Sequence, residues 1–130
     1  MLDTDMCIYL MRKQAPGVQA RFERCFVGEV VISAITLAEL EFGVSCSGER
    51  QIQNRLALDR LLDDIPAVPF EARAAHVYGP VRPATRKRKR DALDKLIAAH
   101  AIALDVVLVT NNQADFLGYP GLKTENWATA

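Results

Sequence analysis

Val106-Val107-Leu108-Val109-Thr110, followed at once by Asn111 and Asn112, is the stretch of this 130-residue chain whose reading decides the fold. A continuous apolar run rich in β-branched residues predicts a short strand covered on both faces, as in a parallel sheet. Just before it, Asp91 to Leu104 carries Leu93, Leu96, Ile97, Ala101 and Leu104 at spacings of three and four, with an acid at its N-terminal end. That pattern predicts an amphipathic helix feeding the strand. In such sheets ligands collect outside the carboxyl ends of the strands, so Asn111, Asn112 and the nearby Asp115 stand where chemistry is expected.

The same alternation extends outward in both directions. Met1-Leu2-Asp3 reads as the end of a short strand, and a helix follows from about Met6 to Lys13. Pro16-Gly17 breaks it before a second helix from about Val18 to Cys25, with Val18, Phe22 and Cys25 on one stripe. Val30-Val31-Ile32 is a further buried strand, and Ser33 is placed to cap a largely apolar helix ending near Gly48. A helix over about Glu49 to Leu62 is expected to face Ile52, Leu56 and Leu62 inward, and Ala67-Val68 forms another strand. Glu71 to Tyr78 is helical, with Pro80 and Pro83 expected to kink or interrupt it. No repeat, low-complexity tract or linker divides the chain, which reads as one α/β domain with a parallel sheet.

Half the residues are hydrophobic, which excludes disorder and allows a core without disulfides or a structural metal. Cys7, Cys25 and Cys46 are an odd, widely spaced set with no CxxC pair, as expected of reduced thiols. No stretch approaches the roughly 18 apolar residues of a membrane span, and a signal-peptide pattern is missing; a cytoplasmic protein is expected. The formal charge is zero, with 16 cations against 16 acids. The distribution is uneven, because Arg82, Arg86, Lys87, Arg88, Lys89 and Arg90 form a run without an acid. The remainder is therefore net acidic, and this separation suits a site that handles both a metal cation and a polyanion.

The acids are the candidates for chemistry. Asp3 ends the first strand and is followed by Thr4 and Asp5; two helices can add Glu39 and Asp94, both set among apolar residues. If the first and last of these strands are neighbours, the polar tips converge. Several carboxylates within a few Å raise one another's pKa unless a cation lies between them. Oxygen donors without Cys or His suit Mg²⁺ or Mn²⁺, and such ions can activate water against a phosphodiester.

Four segments carry a specific resemblance: Met1-Leu2-Asp3-Thr4-Asp5-Met6-Cys7-Ile8-Tyr9-Leu10, the run from Ile32 to Gly43 centred on Leu37-Ala38-Glu39-Leu40, Asp94-Lys95-Leu96-Ile97-Ala98-Ala99-His100-Ala101, and Val109-Thr110-Asn111-Asn112-Gln113-Ala114-Asp115-Phe116. In this order, and with a closing Leu122 to Trp127 segment, the chain resembles the PIN domain and, more closely, the VapC toxins of bacterial toxin–antitoxin pairs. The resemblance implies a single three-layer α/β/α domain over residues 1–130 with a short, mostly parallel central sheet. It also implies a Mg²⁺- or Mn²⁺-dependent endoribonuclease inhibited by a cognate VapB-type antitoxin, with some relatives cutting initiator tRNA. Asp3, Glu39 and Asp94 match the family's three main acids. Many relatives have an acid where this chain has Asn112, which makes Asp115 the candidate for the fourth position. This subgroup often has Asn where this chain has Asp5, so Asp5 and Asn112 stand as further metal-site candidates. Thr4 and Thr110 are expected to orient the acids by hydrogen bonds.

The basic run is expected to grip RNA phosphates, with docking of an acidic antitoxin and simple solubility as the alternatives. His100 and His76 are expected to be packed and hydrogen-bonded, Trp127 to anchor the C-terminus, and Glu41 to face solvent or an ion pair. Ile8, Tyr9, Leu10 and Phe42 exceed what one small core hides, which leaves a homodimer interface or an antitoxin groove to use them. Two other functions compete with the ribonuclease. Asp3-Thr4-Asp5 can be the DxD of an aspartyl-phosphate phosphatase, or the acids can be vestigial in a non-catalytic nucleic-acid- and antitoxin-binding module.

Overall fold

The structure, a computed structural model, describes residues 1–84 and 92–129. In chain order it runs α1 (Thr4–Met11), α2 (Pro16–Glu23), β1 (Ile32–Ser33), α3 (Ala34–Ser45), a 3-10 turn (Gly48–Arg50), α4 (Gln51–Asp64), β2 (Ala67–Val68), α5 (Ala72–Ala84), α6 (Ala92–Leu104), β3 (Leu108–Val109), a second 3-10 turn (Gln113–Phe116) and β4 (Thr124–Glu125). Strand β1 pairs in parallel with β2, and β3 in parallel with β4. The amino terminus joins the two pairs, because Leu2 bridges Val109 in parallel and its N–H donates to the Val31 carbonyl at 3.0 Å. The strand order is thus β2, β1, the Met1–Asp3 segment, β3, β4. The first and last predicted strands are therefore neighbours, and their polar tips meet at one edge.

Apolar packing on this sheet forms two clusters. One gathers Leu2, Met6, Val18, Ile32, Leu40 and Leu58, and the other Val81, Ile97, Ala98, Leu108 and Phe116. The sheet carries helices through both, in the α/β arrangement expected. Trp127 is buried and lies against Gly17, where an added Cβ would come within 2.8 Å of the Trp127 carbonyl oxygen. Only glycine lets α2 approach the C-terminal segment this closely.

Four expectations need correction. On α4 the inward face is Leu58 and Leu61, continued by Ile65, whereas Ile52 is 78% and Leu56 51% exposed. The buried residues keep the three-then-four spacing, and the stripe extends past the helix end rather than back to its start. Pro80 and Pro83 do not interrupt α5, which continues through both. Gly79, before Pro80, has no Cβ to oppose the proline ring, and packing against α6 holds the segment together. On α6, Leu93 and Leu104 are largely exposed while Lys95 and the run from Ile97 to Ala101 are buried. Alanines let this helix be covered on several sides, so a single stripe is a poor guide to it. His76, finally, is exposed rather than packed. No helix among the described residues is long and apolar enough to cross a membrane.

Candidate metal and RNA site

Asp3 sits where the amino-terminal strand segment becomes α1. Its backbone N–H donates to the Val109 carbonyl at 3.0 Å, and its Oδ1 accepts the Met6 N–H at 3.0 Å as the N-cap of the helix. The Thr110 hydroxyl, at the tip of β3, bonds the same carboxyl group. Although the cap and the hydroxyl favour the charged form, burial overrides them, and the carboxylates of Asp5 and Glu39 add to it. The Asp3 pKa is pushed up to about 6. This side chain is only 7% exposed, and protonation or a cation would relieve it.

The other acids come from different elements. Glu39 lies midway along α3 and accepts a 2.6 Å hydrogen bond from Thr4 Oγ1. Asp5 is in the first turn of α1 and Asp94 in the first turn of α6, positions that the positive ends of helix dipoles favour. Asn112 Nδ2 reaches toward Asp5 Oδ2 at 3.5 Å, and the Asn112 N–H donates to Thr110 Oγ1 at 3.1 Å. The structure therefore gathers Asp3, Asp5, Glu39 and Asn112, with Thr4 and Thr110 as the expected orienting hydroxyls. Asp94 is half-buried at the head of α6, and Asp115 is exposed in the second 3-10 turn. Among the described residues no three Asp, Glu, His or Cys side chains lie close enough to enclose a metal ion as they stand.

In kind, however, the donors fit a hard divalent cation. They are carboxylate and amide oxygens, and Asn111 Oδ1 is a buried acceptor left without a hydrogen-bond partner at the same strand tip. The nearby Cys7 does not compete, because burial and the charge of Asp3 hold its thiol protonated. Sequence reasoning missed the Asn111 Nδ2 to Tyr9 Oη bond of 2.6 Å, which pins the β3 tip to α1. In the sequence Tyr9 reads only as apolar surplus. It also missed the burial of the Lys95 ammonium-bearing chain beside Asp94, whose only signal is a lysine inside an otherwise apolar stretch.

Two grooves flank α1, and the second of them reaches the site. One, of about 210 Å³, is lined by Leu10, Met11, Phe22 and Leu61 with Lys13 and Asp64. The other lies between α1, α3 and α4, where Ile8, Met11, Leu40 and Val44 lead to Thr4 and Glu39, with Arg12 also in its wall. Of the basic run, Arg82 is exposed at the end of α5, with its guanidinium donating to Tyr78 Oη at 2.7 Å. Arg86, Lys87, Arg88, Lys89 and Arg90 lie outside the described residues. Glu41 forms the expected ion pair, with Arg55.

Comparison with known proteins places this arrangement. Residues 1–120 match the PIN domain. The chain is 37% identical to ribonuclease VapC2 of Rickettsia felis, over 98% of this chain and 96% of that protein. It is 32% identical to the tRNA(fMet)-specific endonuclease VapC of Shigella flexneri, over 98% and 97%. The solved structure of VapBC2 from Rickettsia felis bound to a DNA fragment from their promoter superposes with a TM-score of 0.88 at 36% identity, covering 98% of this chain and 97% of that one. The DNA-bound VapBC of Salmonella typhimurium gives 0.87 at 29% identity, covering 98% and 96%. With a family match over residues 1–120 and relatives matched over nearly its whole length, the chain belongs to the PIN-domain family and, within it, to the VapC toxins.

Proposed function

We propose that this chain is the toxin of a toxin–antitoxin pair and acts as a metal-dependent endoribonuclease. The observation that carries the reading is Asp3, a carboxyl group buried at the sheet's edge beside Asp5 and Glu39 and raised to about 6. A cation held between these carboxylates would offset both their burial and their mutual repulsion. The relatives named ribonuclease and tRNA(fMet)-specific endonuclease support the substrate class, RNA with tRNA among the candidates. Asp3, Glu39 and Asp94 would hold Mg²⁺ or Mn²⁺, with Asp115 as the candidate fourth acid and Asp5 and Asn112 at the margin. When bound, the ion supplies a Lewis acid for the phosphodiester and lowers the pKa of water.

The chain's own residues do the rest. Thr4 fixes the Glu39 carboxylate, Thr110 fixes Asp3 and the Asn112 backbone, and Tyr9 holds the β3 tip. Arg82, with the five cations that follow it in sequence, supplies positive charge for the RNA backbone. A VapB-type antitoxin would lay an apolar segment along the grooves beside α1, where an anionic end reaches Arg12 or a cationic end reaches Glu39. The VapBC complexes among the structural relatives support such a partner. A second copy of the chain is the other claimant for exposed apolar surface such as Phe42, and sedimentation of the antitoxin-free protein measures it.

The test is to incubate purified antitoxin-free protein with total RNA, with Mg²⁺ or Mn²⁺ and with chelator, and to map the new ends. Discrete, metal-dependent ends are expected. The competing reading is the non-catalytic nucleic-acid- and antitoxin-binding module. Tight RNA binding without cleavage in Mn²⁺ is what that reading predicts, and cleavage of single-stranded DNA alone would reassign the substrate. The phosphatase reading suits the geometry less, because Asp3 Oδ1 is engaged as the cap of α1.

A further inference from the structure

His100 lies on α6 six residues after Asp94, and Ser33 caps α3 six residues before Glu39. Both are buried, His100 to 2% exposure and Ser33 completely, and His100 Nδ1 is 2.7 Å from Ser33 Oγ. The protons in this contact can be placed. Ser33 Oγ already accepts the Ile35 N–H at 3.0 Å as the cap of α3, so its own hydrogen is free to donate to His100 Nδ1. The Pro69 carbonyl also bears on the ring, and because it can only accept, that contact calls for an N–H. A neutral ring with its proton on Nε2 satisfies both neighbours at once. Burial also disfavours the charged ring, against a weak pull from Glu71, and Phe70 closes over it edge-on at 5.3 Å.

We propose that His100 is a positioning residue for the acid site: through Ser33 and Pro69 it fixes α6, which carries Asp94, against the start of α3, which carries Glu39. The role rests on the metal-nuclease reading above. Six residues of helix span about 9 Å, so a tilt of about 10° at this contact displaces a carboxylate by roughly 1.5 Å. Displacements of that size are enough to weaken ion binding and slow chemistry by about tenfold or more. His100 does not touch the reacting groups; it sets where two of them stand.

The test combines ring spectroscopy with metal affinity. Nitrogen-15 NMR of the wild-type protein at neutral pH should show a bare Nδ1 and a protonated Nε2. His100→Phe keeps the ring volume and removes the hydrogen bond to Ser33 together with any bonding to Pro69; in folded protein it should weaken Mn²⁺ binding and lower kcat by about tenfold each with KM unchanged. His100→Asn, which restores an acceptor near the Nδ1 position, should recover most of the loss. Ser33→Ala makes the same test from the other partner should His100→Phe not fold. A protonated Nδ1, or wild-type Mn²⁺ affinity and kcat in folded His100→Phe, overturns the proposal alone. Wild-type protein that binds no Mn²⁺ overturns the metal-nuclease reading and this role with it.

Discussion

Asp3 is at once a helix cap, a strand partner and a buried acid, and the three roles make different demands. The cap needs only an oxygen, whereas the charge is costly where it stands. Its folded pKa of about 6 lies above the ordinary 3.8, so in metal-free protein it contributes stability that is complete below about pH 4 and is lost as the pH rises through about 6. The shift corresponds to about 3 kcal/mol. Denaturant unfolding in chelator should show this decline, and Asp3→Asn, which keeps the cap oxygen, should flatten it while abolishing Mn²⁺ binding. Unchanged pH dependence in Asp3→Asn would place the titration elsewhere. Thr4 acts on a neighbour, since its hydroxyl holds Glu39 at 2.6 Å. Thr4→Val should leave the fold intact and weaken Mn²⁺ binding by about 10- to 100-fold, read by calorimetry; wild-type affinity would mean that Glu39 needs no support.

At the scale of elements, the helices show where periodicity informs and where it misleads. Ser33 as the cap of α3 and Ala67-Val68 as a strand were legible because capping chemistry and a short apolar run are local signals. The inward face of α4 was not, because Ile52, Leu56, Leu58, Leu61 and Leu62 supply more apolar positions than one face can use. Which stripe is buried depends on what packs against it. Leu58→Ala should therefore cost about 2–5 kcal/mol in chemical denaturation, while Ile52→Ala should stay within about 0.5 kcal/mol. Equal effects would restore the sequence-based face. The α5 prolines misled for a related reason, since the local rule against helical proline ignores Gly79 and the tertiary packing on α6.

For the molecule as a whole, neutrality conceals a division of labour. Asp3, Asp5 and Glu39 meet at the carboxyl edge of the sheet, while six cations lie within the sequence from Arg82 to Arg90. The candidate acids and their order along the chain stand out in the sequence, because they are carboxylates set among apolar residues. Their spatial grouping was legible only in part: the Leu2 to Val109 bridge brings Asp3 to Thr110, but the Tyr9 to Asn111 and Ser33 to His100 contacts join residues whose pairing no local pattern encodes. The central claim is that acids from separate elements act together in metal-dependent RNA cleavage. Asp94→Asn tests it most directly, because Asp94 alone represents α6 in that set. Cleavage of RNA in Mn²⁺ is measured for wild-type and variant protein of equal thermal stability. Cleavage is expected from the wild type, none from the wild type in chelator and none from the variant; undiminished cleavage by folded Asp94→Asn would overturn the joint role of these acids.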